Sequence, residues 1–249
     1  MMPVLDLFGL KIFSYPLLMG VAWGLGIQIA KSLNSRFGVK FKYLNIYLMG
    51  VFLSSWLGAK LLYLLSADNV KIGHLASEES FWLGGGFVFY GGLLAGLGFT
   101  LYFGIKTSQT VKFFNIFIPG LCFGHALGRV GCLLAGCCYG IPHQSLISIH
   151  LHEVQRFPVQ LLEAFFLVIF GIYSMREKSI RHKNLAFMYL SFYAFCRFVF
   201  EFARGDSIRG VWFDLISTSQ IISLIISVVV LMTWRLSQSR PTSSLDKLY

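Results

Sequence analysis

Residues 44 to 65 read LNIYLMGVFLSSWLGAKLLYLL, with Lys60 the one charge along the whole run. A helix needs roughly 20 apolar residues to cross the hydrocarbon core of a bilayer, because only a helix satisfies its own backbone there. Residues 44 to 65 meet that length. Outward from them lie six comparable runs: Ile12 to Ala30, Phe81 to Ile105, Phe113 to Tyr139, Phe157 to Tyr173, Leu185 to Phe202 and Leu215 to Trp234. The first lacks the basic start and small-residue cleavage site of a signal peptide, so it reads as a retained helix. Composition agrees, since 56% hydrophobic and only 13% charged residues leave too few polar side chains to coat a soluble domain. The expectation is an all-α integral membrane protein of about seven transmembrane helices, a single polytopic domain over residues 1 to 249.

The net charge of +10 is a topology signal rather than a nucleic-acid one. Alternate loops carry thirteen basic residues, namely Lys31, Arg36, Lys40 and Lys42, then Lys106 and Lys112, then Arg176, Lys178, Arg181 and Lys183, then Arg235, Arg240 and Lys247. The other loops carry five: Lys11, Lys71, Arg156, Arg204 and Arg209. The positive-inside rule places the N-terminus outside and the C-terminus in the cytoplasm. Nucleic acid is not an expected partner, because the charges are split among short loops rather than gathered in one patch.

Ionisable residues inside apolar runs cost about 2.5 to 3.5 kcal/mol each on insertion scales, so each calls for a partner or a task. Lys60, Arg129, Glu163, Arg197 and Glu201 are the five. With the topology above, all five fall in the external half of the membrane. Tyr193, Arg197, Glu201 and Arg204 are spaced four, four and three apart, a continuous helical stripe. An Arg197–Glu201 ion pair alone would lower the cost of burial. Two arginines against one glutamate leave positive charge over, and Arg129 adds to it, so an anionic partner such as a phosphate is expected. His125 lies one turn from Arg129 on the same face, a hydrogen-bonding residue or a catalytic base. Lys60 is expected to snorkel, its stem buried and its amine in water.

Small residues crowd the third and fourth runs, where tight helix packing accounts for most of the glycines. Gly91 and Gly92, just after Tyr90, are expected to let a lipid headgroup approach the backbone. Four of the five cysteines, Cys122, Cys132, Cys137 and Cys138, sit on or just after the fourth run; Cys196 is on the sixth. A disulfide or metal ligation is conceivable for adjacent cysteines. No CxxC pair occurs, and His143, His150 and His152 are not at zinc-site spacing, so small packing residues are the expectation and no metal or cofactor is assigned.

These residues resemble the prolipoprotein diacylglyceryl transferase family through most of the chain. The likeness runs through Tyr15, Gly58 and Ala59, the stretch Phe89-Tyr90-Gly91-Gly92-Leu93, and Gly128-Arg129-Val130-Gly131 with Gly136 and Gly140. It continues in Pro158, Gln160, Leu161 and Glu163, then Tyr193, Arg197, Glu201, Arg204 and Asp206, then Gln220 and Ser223. The resemblance implies transfer of the diacylglyceryl group of phosphatidylglycerol to the lipobox cysteine of a prolipoprotein, at the outer face of a bacterial cytoplasmic membrane. It implies that Arg129 and Arg197 hold the lipid and act in catalysis. Tyr15, Gly91, Gly92, Gly140, Tyr193, Glu201 and Arg204 join them around the lipid. The chain departs from the family at Tyr90, which stands where a histidine is usual, and at Cys132, Ala135 and Cys137, which stand where asparagines and a glutamate are usual. Tyrosine is a poor base at neutral pH, so His125 is the candidate replacement, with Tyr90 and His125 both counted among the catalytic candidates. Transfer to another acceptor, or anionic-lipid binding without chemistry, are the alternatives.

Overall fold

The computed structural model describes residues 4–7, 10–38, 43–66, 89–107, 114–182, 185–206, 211–212 and 216–239. Seven helices of sixteen residues or more occur among them, one on each apolar run. In chain order they are α1 (Ser14–Arg36), α2 (Leu44–Ser66), α3 (Phe89–Thr107), α4 (Phe117–Ala135), α5 (Val159–Ser174), α7 (Leu185–Glu201) and α8 (Thr218–Ser239), with one short turn, α6 (Glu177–Ile180), between α5 and α7. Three described segments, Pro16–Arg36, Leu44–Leu65 and Phe117–Ala135, are long and apolar enough to cross a membrane. Exposed leucines such as Leu61, Leu94 and Leu101 cover the outer faces of α2 and α3, as lipid-facing surfaces require.

The chain is not wholly helical. Val4–Leu7 (β1) and Leu10–Phe13 (β2) form an antiparallel hairpin with Val4 opposite Phe13, so α1 begins at Ser14 rather than within the run's first residues. Ile149–Leu151 (β3) pairs with Val154–Arg156 (β4) in the loop between α4 and α5. Val211–Trp212 (β5) pairs with Ile216–Ser217 (β6) ahead of α8. The segment from 67 to 88, including the start of the third apolar run, lies outside the described residues.

Packing follows two patterns. α1 lies along α4, α4 along α5, and α7 along α8, while α2 pairs with α3. Leu33, Ile116, Cys122, Leu167, Phe170, Leu185 and Tyr189 build the main core among these helices. At α2 and α3 the close approach depends on glycine. A Cβ on Gly91 would overlap the Gly58 carbonyl, and one on Gly92 would lie 3.0 Å from the Ser55 carbonyl oxygen. The bare faces of Gly91 and Gly92, expected to open to a lipid headgroup, are turned to α2. Lys60, on the same helix, is 2% exposed and engages a neighbouring group, so its amine does not snorkel to water as expected.

Local chemistry sets the helix ends that carry the site. α4 stops at Gly136, whose left-handed φ of 75° closes the last turn. The Gly136 N–H donates to the Leu133 carbonyl and the Cys137 N–H to the Cys132 carbonyl, 3.1 and 3.0 Å, the reciprocal pattern of a Schellman cap. α8 starts on a capping box. The Ser217 N–H donates to Gln220 Oε1 at 2.9 Å, and the Gln220 N–H returns to Ser217 Oγ at 3.2 Å.

Candidate functional site

Four helix ends meet: the last turns of α4 and α7 and the first turns of α5 and α8. Glu163 stands in the second turn of α5 and is 5% exposed. Its Oε1 accepts from Arg197 Nη1 at 3.1 Å, and its Oε2 pairs with Arg129 Nε at 2.5 Å. One carboxylate therefore ties α4 to α7 through α5. Arg197 also reaches Glu201 Oε2 at 2.8 Å and donates from Nη2 to Ser219 Oγ on α8 at 2.9 Å. Arg204 donates from Nε and Nη2 to both oxygens of Asp206, 2.8 and 2.6 Å, and lies 3.5 Å from Glu201. Two parallel bonds to a carboxylate are the strongest geometry a guanidinium offers. Burial would push the Arg204 guanidinium down, but Asp206, with Cys138 and Glu201, holds it above its ordinary value.

Arg129, Glu163, Arg197 and Glu201 converge; their charge count differs from the one expected. Glu163 lies between Arg129 and Arg197, and Asp206 takes Arg204, so these three arginines face three carboxylates. The expected surplus of positive charge is corrected to near balance. Arg204 in turn sits beyond the end of α7, in the turn after Glu201, rather than on a continuous helical stripe. What distinguishes the arginines is how their donors are spent. Arg197 and Arg204 are committed to carboxylates. Arg129 makes no hydrogen bond or ion pair with a described residue besides its Nε contact, so its two terminal nitrogens remain donors for an anion.

His125 packs its ring against Tyr193, centroids 4.8 Å apart, within electrostatic reach of Arg129 and Arg197. Tyr193 is thus drawn to the cluster from α7. A narrow crevice between α5 and α7, lined by Glu163, Phe166, Phe192, Tyr193, Cys196 and Arg197, opens beside the Glu163–Arg197 pair. Tyr15 and Tyr90 stand in the first turns of α1 and α3; their side chains lie outside the described residues. Gly140, expected at the lipid, forms a loop junction. It bridges to Arg204, its carbonyl accepts from Arg156 Nη1 at 3.2 Å, and a Cβ there would overlap the Phe157 carbonyl.

The same loop turns three cysteines toward one another. Cys132 ends α4; Cys137 and Cys138 follow the Gly136 cap, Cys138 at a φ of +55° that side chains rarely adopt. The three Sγ atoms all lie within 4.8 Å of one another, and all three are free thiols. The expectation of simple packing suits Cys122, buried in the core, and is corrected for this triad. Spacing alone concealed it, because the left-handed turns that fold Cys137 and Cys138 back are visible only in three dimensions. Sequence reasoning also missed Ser219 and the pairing role of Asp206. The second had a signal, a carboxylate two residues from a buried arginine.

Charged groups tied together at one end of apolar helices define an integral membrane protein with a polar site buried between its helix ends. The prolipoprotein diacylglyceryl transferase model matches residues 3–236, and the chain belongs to that family. It is 33% identical over 96% of its length to a phosphatidylglycerol–prolipoprotein diacylglyceryl transferase of Clostridium tetani, covering 99% of that protein. It is 31% identical to the transferase named as number 2 in Clostridium perfringens, with 94% of each chain covered. To the transferase of Campylobacter jejuni strain 81-176 it is 28% identical over 92% of this chain and 90% of the other.

Proposed function

We propose that this protein transfers the diacylglyceryl group of phosphatidylglycerol to the lipobox cysteine thiol of prolipoproteins, releasing glycerol phosphate. The observation that carries the reading is Arg129, a partly buried guanidinium anchored through Nε by Glu163 with its terminal nitrogens spare, in a chain of this family. Those nitrogens match two oxygens of a phosphodiester. As the bond to the glyceryl carbon breaks, charge grows on the departing phosphate, and a positioned guanidinium stabilises it in surroundings poor in water. Arg197, held by Glu163, Glu201 and Ser219, positions Glu163 and through it Arg129. Arg204 with Asp206 fixes the loop over the site. Tyr193 and His125 flank the arginines, with His125 a candidate to take the acceptor's proton; Tyr90 is assigned to catalysis and Tyr15 to lipid binding.

The reading includes seven membrane-crossing helices, N-terminus outside and C-terminus in the cytoplasm, in a bacterial cytoplasmic membrane. One long helix on each apolar run supports the count, and the thirteen-to-five split of basic residues supports the orientation. With that topology the four helix ends of the site face outward, where lipoprotein precursors emerge. A second reading, transfer to a different acceptor, is favoured by the thiols at Cys132 and Cys137 where the family carries amide and carboxyl groups.

The test is a product assay by mass spectrometry on purified protein in detergent with phosphatidylglycerol and a lipobox peptide. A diacylglyceryl mass gain on the peptide, lost in Arg129→Ala, is expected. No gain, in conditions where another family member works, overturns the lipobox acceptor.

A further inference from the structure

The cysteine triad lies beside the transfer site, and the ion pairs of the arginine network are all made by carboxylates rather than by its thiols. Its geometry is specific. Cys132 is held on the last helical turn, and the Schellman cap at Gly136 reverses the chain so that Cys137 returns over it, its Sγ 3.6 Å from the Cys132 carbonyl oxygen. The left-handed turn at Cys138 brings the third thiol in. Strain of this kind at a non-glycine residue persists only where the surroundings enforce it. Here they do: Gln160 Nε2 donates to the Cys137 carbonyl at 3.0 Å, and the His152 ring bonds the Gly136 carbonyl at 2.7 Å. The loop is built to keep three sulphurs together.

Three sulphurs around a tetrahedral zinc, each at about 2.3 Å, stand about 3.8 Å apart. The observed separations, none above 4.8 Å, are within about 1 Å of that spacing. Three thiolates on a divalent cation leave one negative charge, and Arg129 and Arg204 are within electrostatic reach of Cys138 to offset it. No fourth histidine, cysteine or carboxylate joins the group among the described residues. A closed structural zinc site has four protein ligands, whereas three with an open position is the pattern of a site that takes a substrate.

We propose that Cys132, Cys137 and Cys138 bind one zinc ion whose fourth position takes the thiolate of the acceptor cysteine. The second half rests on the thiol acceptor proposed above. Coordination strips the proton from a thiol, which passes to solvent, so the acceptor is held as thiolate without a basic side chain. This supplies what Tyr90, in the place of the family's usual histidine, does not, and it takes over the proton removal for which His125 was the candidate. The zinc-held sulphur then attacks the glyceryl carbon. A carbon–sulphur bond forms, the carbon–oxygen bond to phosphate breaks, and the electron pair leaves with glycerol phosphate beside Arg129. No oxidant or reductant is needed.

The test uses full-length protein in detergent, reduced, stripped with a chelator and titrated anaerobically with cobalt(II), then zinc. One equivalent of cobalt with a thiolate-to-metal charge-transfer band, displaced by zinc, is expected. Cys137→Ser and Cys138→Ser should each weaken binding at least tenfold with the melting temperature kept within a few degrees, while Cys122→Ser leaves it unchanged. No charge-transfer band, or an unaltered one in both triad variants, overturns the site. Adding a lipobox peptide should then shift the cobalt spectrum, and its Cys→Ser counterpart should not; an unmoved spectrum overturns the acceptor half. The two proposals fail separately. Undiminished transfer by stripped protein sinks the zinc proposal and leaves the transferase, whereas a metal site without transfer to any lipobox peptide does the reverse.

Discussion

Between α2 and α3 the helices touch through Gly58, Gly91, Gly92 and Gly96, with helix backbone or a small side chain filling the place of each missing Cβ. Between α4, α5, α7 and α8 the contact runs through Arg129, Glu163, Arg197 and Ser219. Both joints hold helices together in apolar surroundings, yet their cost differs. Small-residue packing gains van der Waals contact at no desolvation penalty. Buried ion pairs seldom stabilise more than well-packed apolar residues of similar size would. Glycine contacts suffice for assembly at the first joint, so the charges at the second are explained by the task they perform rather than by stability.

The sharpest way to break this contrast is to remove one partner from the charged joint. Arg197→Ala takes one partner from each of the buried carboxylates Glu163 and Glu201 and should cost about 3–5 kcal/mol, seen as a large fall in melting temperature in detergent together with loss of product. Gly91→Leu should cost about 1–3 kcal/mol by overpacking, while turnover per folded molecule stays near the wild-type rate. Loss of turnover out of proportion to folded protein would return Gly91 to the headgroup. Asp206→Asn frees a guanidinium already bonded at two points and should cost about 1.5–3 kcal/mol, measured by thermal unfolding. Smallest is Cys196→Ala, at the edge of the satellite core with Val159 and Phe200, with an expected loss of about 1 kcal/mol and unchanged product formation.

Much of this was legible in the residues. Seven apolar runs announced seven helices because length and hydrophobicity alone decide where a backbone can cross lipid. Arg129, Glu163 and Arg197 were legible because a charge within such a run is expensive enough to demand a partner. The pairing was not, since it depends on which faces of α4, α5 and α7 meet. Charge balance therefore looked positive until Glu163 and Asp206 were placed. Gly91 and Gly140 carry a related ambiguity: a missing side chain admits a ligand or another backbone, and only the neighbour's position decides. The β1–β2 hairpin before α1 was hidden inside an apolar run, where strand and helix segments are hard to tell apart.

On this reading the Glu163-centred network exists for the reaction rather than for folding. Arg129→Lys tests it most directly, because lysine keeps the charge beside Glu163 but lacks the second nitrogen needed to hold two phosphate oxygens. Measured together, its melting temperature should stay within a few degrees of wild type while diacylglyceryl transfer falls at least a hundredfold. Transfer that survives in proportion to folded protein would show that the arginine serves the fold alone and would contradict the account.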